Sequence, residues 1–118
     1  MRSLKKHSAR QSFLAIVSIS LVIFLMDCSS SNSAPPANEV FIQGMAFSPA
    51  TLTIKAGTTV KWTNKDGVTH TVTSDTAGQF NSGNVAANGV FSFMFMTVGT
   101  YNYHCSIHPS MIAKIVVN

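Results

Sequence analysis

From residue 39 onward, apolar side chains recur with a period of two, which is the period of a β-strand and not of a helix. In the run 90–96, Phe91, Phe93 and Phe95 fall on one face, as they would in a strand that is buried on one side. Similar runs rich in β-branched and aromatic residues occupy positions 51–55 and 60–63. Glycine-containing turns separate the runs at spacings that suit an antiparallel sandwich or barrel. The pattern predicts an all-β fold and argues against fully helical and doubly wound folds.

One short loop carries three side chains that together suit a redox-active copper ion. Cys105, His108 and Met111 are separated by two residues each. Thiolate and thioether sulfurs are soft donors that favour Cu(I), and imidazole suits both copper oxidation states. Two histidines, one cysteine and a weakly bound axial methionine form the ligand set of a blue-copper electron-transfer site. The loop therefore predicts such a site, with the second histidine supplied from elsewhere in the chain.

The chain offers three other histidines for that position. His7 lies in a basic N-terminal stretch. His104 adjoins Cys105 on a predicted strand, where neighbouring side chains point to opposite faces, so a metal-directed Cys105 turns His104 away. His70 lies in a β-branched run that follows a predicted turn at 64–67. We therefore predict that one Cu(I)/Cu(II) ion is bound by His70, Cys105, His108 and Met111.

The first 28 residues have the composition of a signal peptide. Four basic residues precede an apolar run from Phe13 to Met26, which is shorter than the ~20 residues that span a bilayer. Export is the prediction, and an uncleaved membrane anchor is the alternative. The formal net charge of +4 arises in this segment, because the residues after Cys28 carry four lysines against three carboxylates. The basic composition is therefore no evidence for a nucleic-acid partner.

Cys28 lies at the end of the apolar run, where bacterial lipoproteins carry their lipidated cysteine. Residues 25–28 resemble a lipobox in their leucine, but Asp27 departs from the small residue that usually precedes the cysteine. Cys28 is therefore a candidate for lipidation and for anchoring to a membrane, and cleavage near residues 33–34 is the alternative. A disulfide between Cys28 and Cys105 is disfavoured, because it would consume the thiolate that lies between two other predicted ligands.

A short linker separates this segment from the predicted folded unit. Residues 29–38 are small, polar and proline-containing, with nothing to bury. Residues 39–118 then form a unit of about 80 residues, which is enough for a sandwich of short strands. We predict that the linker tethers this unit without belonging to it.

Residues 39–118 resemble the cupredoxins of the plastocyanin and amicyanin type. The resemblance rests on five motifs, which are Phe47-Ser48-Pro49, the run 55–64, His70-Thr71-Val72, the strand 99–105 and His108-Pro109-Ser110-Met111. The short spacings of the loop from Cys105 to Met111 match amicyanin-like members better than plant plastocyanins. The resemblance implies a Greek-key β-sandwich or barrel, with a mononuclear copper site at one end.

The resemblance also implies roles for the neighbours of the ligands. The backbone N–H of Thr71 would donate to the sulfur of Cys105. The Thr71 side chain would tie to Ser106 less readily than the longer asparagine that many relatives carry. The implied electron-transfer surface consists of Ile107, His108 and Pro109, with His104 as either a second contact or a solvated strand histidine.

The predicted ligand set also limits the function. Four protein ligands leave a metal no open position for substrate, so we predict that the chain is not an enzyme. The predicted function is one-electron transfer between transient redox partner proteins, by a monomer in the bacterial periplasm or at a membrane surface. Copper storage or delivery by the same ligands is the alternative. Met45, Met94 and Met96 add no methionine-rich copper site to this prediction, because packing within strands and loops explains their positions.

Overall fold

We describe residues 35–118 from a computed structural model. The predicted signal peptide, the candidate lipidation site Cys28 and most of the predicted linker lie outside the described residues. Within residues 35–118, no helix is long and apolar enough to cross a membrane. The strands are β1 (Glu39–Ile42), β2 (Phe47–Ser48), β3 (Thr51–Ile54), β4 (Thr58–Asn64), β5 (Thr73–Ser74), β6 (Val90–Phe95), β7 (Gly99–His104) and β8 (Ile112–Val117).

These strands form two four-stranded sheets with the core between them. The first sheet has the order β2-β1-β4-β6, in which β1 runs parallel to β4 and the other pairs are antiparallel. The second has the order β3-β8-β7-β5, in which β3 runs parallel to β8. Consecutive strands such as β3 and β4 lie in different sheets, so the chain crosses repeatedly between the layers. The all-β sandwich predicted from the sequence is confirmed.

Aromatic side chains from both sheets fill the space between the layers. Trp62 of β4 is fully buried, and its Nε1–H donates to the hydroxyl oxygen of Tyr103 on β7 over 3.1 Å. Burial raises the pKa of Tyr103, so this hydroxyl stays neutral. Phe91, Phe93 and Phe95 face the same core from β6, as the period of two predicts. This aromatic core supports the strands from which the predicted ligands extend.

The sandwich has two ends that differ in chemistry. Strands β4 and β7 finish at one end, and the segments that carry His70, Cys105 and His108 follow them, so we call it the ligand end. At the opposite end, which we call the far end, the turn 55–57 meets the turn 96–98. The backbone N–H of Gly57 donates there to the carbonyl of Phe95 over 2.7 Å. Pairing of Thr58 with Phe95, at the start of β4 and the end of β6, fixes this polarity.

Three methionines are exposed, contrary to the packing expected from the sequence. Met45, Met94 and Met96 expose 47%, 53% and 67% of their surfaces. Alternation along β6 turns Met94 outward, because Phe93 and Phe95 face the core. The interpretation that packing within strands and loops explains their positions is therefore wrong, because all three side chains are exposed. A period of two identifies the residues that share a face, but not whether a second layer covers that face.

Candidate metal centre

Two loops bring three of the four predicted ligands together at the ligand end. His70 lies between β4 and β5, where two backbone hydrogen bonds with Val85, of 3.1 and 2.8 Å, fix its position. Cys105 directly follows β7, and His108 lies in the loop that leads to β8. This loop is closed by its own backbone, since the N–H of Cys105 donates to the carbonyl of Met111 over 3.0 Å. The loop therefore carries His108 back towards Cys105.

The three side chains converge through their donor atoms. The Nδ1 atoms of His70 and His108 lie 3.1 Å apart. The sulfur of Cys105 lies 3.8 Å from the Nδ1 of His70 and 3.7 Å from the Nδ1 of His108. Nitrogen and sulfur ligands bind a first-row metal at about 2.0–2.3 Å, which places neighbouring ligand atoms about 3–4 Å apart. The residues therefore fit a single metal ion held by two imidazoles and one thiolate.

Cys105 is buried but is prepared for the thiolate form. Burial alone would raise the pKa of its thiol. Hydrogen bonding from the backbone N–H of Thr71, together with contacts from His70 and His108, outweighs burial and lowers the pKa to about 6. The thiolate therefore predominates at neutral pH, and the thiolate is the form of cysteine that binds a metal.

Thr71 links the strand segment of His70 to the ligand loop. Its backbone N–H donates to the sulfur of Cys105 over 3.3 Å. Its hydroxyl accepts the backbone N–H of Ser106 over 2.7 Å, so the tie between these residues uses the backbone of Ser106. The side chain of Ser106 instead donates to the hydroxyl of Thr73 over 3.0 Å. Although threonine is shorter than asparagine, the Thr71 hydroxyl reaches the ligand loop because its partner is the backbone N–H of Ser106 and not the Ser106 side chain.

Asp66 contacts the metal centre, although the sequence analysis assigned no role to it. Its carboxylate accepts the Nε2–H of the fully buried His70 over 2.9 Å, which leaves Nδ1 to face Cys105 and His108. The same carboxylate accepts the backbone N–H groups of Gly44 and Met45 over 2.7 and 3.0 Å. Burial opposes ionisation, but these three bonds outweigh it and hold the pKa of Asp66 below its usual range.

The spacing of four residues between Asp66 and His70 was visible in the sequence but predicts a contact only in a helix. Here the two residues lie in a loop that follows β4. The Asp66 backbone N–H donates to the side-chain oxygen of Asn64 over 3.0 Å. A sequence pattern for this arrangement would need Asn64, Asp66 and His70 considered together.

The predicted electron-transfer residues occupy two positions at the ligand end. His108 is half-buried, and its neighbours Ile107 and Pro109 are exposed. His104 is half-buried on the other side of the strand from Cys105, and its Nδ1 bonds the carboxylate of Asp75 over 2.6 Å. The two predicted contacts for partner proteins are thus separate: one is centred on the ligand His108, and the other on the strand residue His104.

Met111, the fourth predicted ligand, is buried at the end of the loop. Its backbone N–H donates to the carbonyl of His108 over 2.9 Å, and its side chain belongs to the hydrophobic core. These contacts place Met111 beside the residues that precede it in the loop. Its role as an axial ligand remains a prediction.

Comparisons with known proteins agree with this geometry. A family model for the cupredoxin-like domain matches residues 15–117. Amicyanin-alpha of Methylorubrum extorquens is 35% identical over 91 residues, which cover 69% of this chain and 71% of that protein. Amicyanin of Paracoccus denitrificans is 34% identical over 96 residues, which cover 75% of this chain and 71% of that protein. The structure of a purple cupredoxin from Nitrosopumilus maritimus matches with a TM-score of 0.64 at 31% identity, covering 68% of this chain and 98% of that chain. The chain therefore belongs to the cupredoxin-like family, as the sequence motifs predicted, and its cofactor is one copper ion.

Proposed function

We propose that the protein is a one-electron carrier whose copper ion is bound by His70, Cys105 and His108, with Met111 as a weak axial ligand. The observation that carries this proposal is the convergence of two imidazole nitrogens and one thiolate sulfur within 3.8 Å of one another. Copper supplies the redox chemistry when it is bound, by cycling between Cu(I) and Cu(II). The protein supplies the positions of the ligands.

Hydrogen bonds from outside the ligand set hold His70 and Cys105 in place. His70 is fixed on one side by the backbone of Val85 and on the other by the carboxylate of Asp66. Cys105 is fixed by the N–H of Thr71. Ligands held by a supporting shell rearrange little when the charge at the site changes, and a small rearrangement favours rapid electron exchange. Burial of His70, Cys105 and Met111 keeps water and substrates away from the site, which supports a carrier and not an enzyme.

Electron exchange with partner proteins is proposed to use the surface around His108. The half-buried imidazole lies between exposed Ile107 and Pro109, which form a small apolar surface suited to brief docking. His104 offers a second contact, because its backbone is joined directly to that of Cys105. Its bond to Asp75 holds the ring in one orientation. Two contacts on different faces allow a donor and an acceptor to bind separately.

The proposed location is the bacterial periplasm, with Cys28 as a lipid anchor and the folded unit acting as a monomer. The signal-peptide composition of residues 1–28 supports export. Mass spectrometry of the mature protein tests the anchor. A mature N-terminus at Cys28 with the added mass of a lipid is expected, and an unmodified N-terminus near residues 33–34 would refute the anchor.

Visible absorption spectroscopy of the copper-loaded protein tests the electron-carrier function. An intense thiolate-to-Cu(II) band and a reversible one-electron potential are expected. Cys105→Ala should abolish the band, whereas Cys28→Ser, the matched change at the other cysteine of the chain, should keep it. Absence of the band, or ready transfer of copper to a competing apoprotein, would favour copper storage or delivery by the same ligands.

A further inference from the structure

The far end of the sandwich exposes a row of large apolar side chains. Met94, Met96 and Val98 expose 53%, 67% and 66% of their surfaces, and we call these three residues the far-end patch. They are alternate residues at the end of β6 and in the turn that follows it. The intervening Phe95 is buried in the core, which directs its neighbours outward. The far-end patch is therefore a group of exposed apolar side chains at the end of β6 and in the turn that follows it.

The N-terminal part of the chain joins the folded unit at this same end. The carbonyl of Asn38, directly before β1 begins, accepts the N–H of Lys61 in the middle of β4 over 3.0 Å. Asn38 also lines a shallow cleft together with far-end residues, which are Thr53, Ile54, Lys55, Thr58 and Asn118. The linker and the apolar run that precedes it therefore connect to the end that carries the far-end patch.

The linker is short enough to keep this end close to whatever holds the N-terminal segment. A fully extended chain of its length, residues 29–38, spans at most about 35 Å. Strand β4 alone, at seven residues, is about 20 Å long and separates the two ends. A membrane anchor would thus attach the folded unit through its far end, and β4 separates the ligand end from that attachment.

The far end also carries a positive charge. Lys55 is exposed at the far end, and the carboxylate of Glu39, at the start of β1, is paired with Lys61 in the middle of β4 over 3.1 Å. The two other carboxylates of residues 35–118 bond to histidines, Asp66 to His70 and Asp75 to His104. Anionic lipid headgroups attract lysine near a membrane surface, and apolar side chains enter the boundary between headgroups and acyl chains. The far end thus combines exposed apolar side chains with an exposed cation.

We propose that the far-end patch rests on the surface of the lipid bilayer to which the N-terminal segment is anchored. The contact orients the sandwich so that the ligand end faces away from the membrane and remains accessible to soluble redox partners. This inference rests on the membrane anchor proposed above, and it does not depend on copper binding. The lipid surface is recognised by apolar insertion and by the charge of Lys55, and not by a specific headgroup pocket.

Methionine oxidation measures this contact directly, because the chain has exposed methionines at both ends. The full, processed protein is reconstituted without metal into vesicles of phosphatidylethanolamine and phosphatidylglycerol and is treated briefly with dilute hydrogen peroxide. Peptide mass spectrometry then gives the rate of sulfoxide formation at Met94 and Met96, relative to Met45 at the ligand end. Val98→Asp places a charge in the far-end patch and keeps all three probes. Val68→Asp is the matched control, since Val68 is 50% exposed and lies two residues from His70.

The proposal predicts that Met94 and Met96 are protected in the parent protein and in Val68→Asp. In Val98→Asp, their oxidation relative to Met45 should rise severalfold. The same relative rates in all three proteins would overturn the proposal, as would a processed protein that does not sediment with the vesicles. Protection that disappears when the protein is diluted within the vesicles would assign the patch to a second copy of the chain instead. The visible copper band, measured separately, reports whether the electron-carrier function fails independently.

Discussion

Substitution of Asp66 by alanine tests whether a carboxylate outside the ligand set positions the buried His70. The Asp66 side chain accepts the Nε2–H of His70 over 2.9 Å, and His70 is fully buried. Removing the carboxylate leaves that N–H without its partner, which costs about 1–3 kcal/mol for a buried donor. The N–H groups of Gly44 and Met45 are at an exposed position and regain water, so their loss adds little. We therefore expect the metal-free protein to lose about 1–3 kcal/mol of unfolding free energy.

The same substitution should weaken metal binding. Outer carboxylates that orient a ligating histidine typically contribute 10–100-fold to metal affinity, or about 1.4–2.8 kcal/mol. Asp66→Ala should lower the copper affinity by a factor in that range, measured by competition with a chromogenic chelator. Asp66→Asn should lose less, because its side-chain oxygen still accepts the Nε2–H. Urea denaturation of the metal-free proteins gives the accompanying change in stability.

Asp75→Ala provides a matched control for this prediction. Asp75 bonds the Nδ1 of His104 over 2.6 Å, so it forms the same type of pair with a histidine that is not a predicted ligand. Its removal should leave copper affinity unchanged. Equal affinities of Asp66→Ala and the parent protein would refute the positioning role. An equal loss of affinity in Asp75→Ala would attribute the effect to net charge and not to orientation.

Three further substitutions test contacts around the site and in the core. Thr71→Val removes the hydroxyl that accepts the Ser106 N–H over 2.7 Å but keeps the backbone N–H that donates to the Cys105 thiolate. Urea denaturation should show a loss of about 1 kcal/mol of unfolding free energy, while the visible copper band persists. Loss of the band would contradict the view that only the backbone of Thr71 supports the thiolate. Tyr103→Phe leaves the buried Trp62 N–H without an acceptor and should lower the unfolding free energy by about 1–3 kcal/mol, with an unchanged copper spectrum. An unchanged melting temperature would count against a contribution of this hydrogen bond to stability. The Thr63 hydroxyl bond, with the charge of Lys61, lowers the pKa of Glu39 against the opposing effect of burial. The stability that Glu39 contributes is therefore fully present above its unfolded pKa and is lost as the pH falls through its folded pKa. Glu39→Gln should therefore flatten the decline, below about pH 4.5, of the unfolding free energy measured in urea. The same decline in the variant and in the parent protein would refute this linkage.

The sequence predicted the strands because alternation is a local property. Phe91, Phe93 and Phe95 share the inner face of β6, as their spacing requires. The same alternation could not predict that Met94 and Met96 are exposed, since coverage of the outer face depends on the other layers of the fold. Local pattern thus assigned faces correctly, but only the assembled sheets determined which face meets solvent.

The metal centre was predictable to the extent that its donors are chemically distinctive. Cys105 and His108 were identified from their spacing, and His70 was selected by excluding the other histidines. Asp66 was missed because carboxylates in turns are common and usually face solvent. Its contact with His70 depends on the course of the loop after β4, which no short pattern encodes. The donors therefore follow from residue chemistry, whereas the groups that orient them follow from loop geometry.

The ligand loop is also a hairpin, which separates the tuning of the metal site from the construction of the fold. His104 pairs with Ile112 at the ends of β7 and β8, and the bond from the Cys105 N–H to the Met111 carbonyl closes the loop immediately beyond that pair. The residues between Cys105 and Met111 that are not ligands therefore lie outside the strand pairing that sets the register. Substitutions in this loop can therefore alter the redox potential and the choice of partner without changing the pairing of β7 with β8 or the aromatic core.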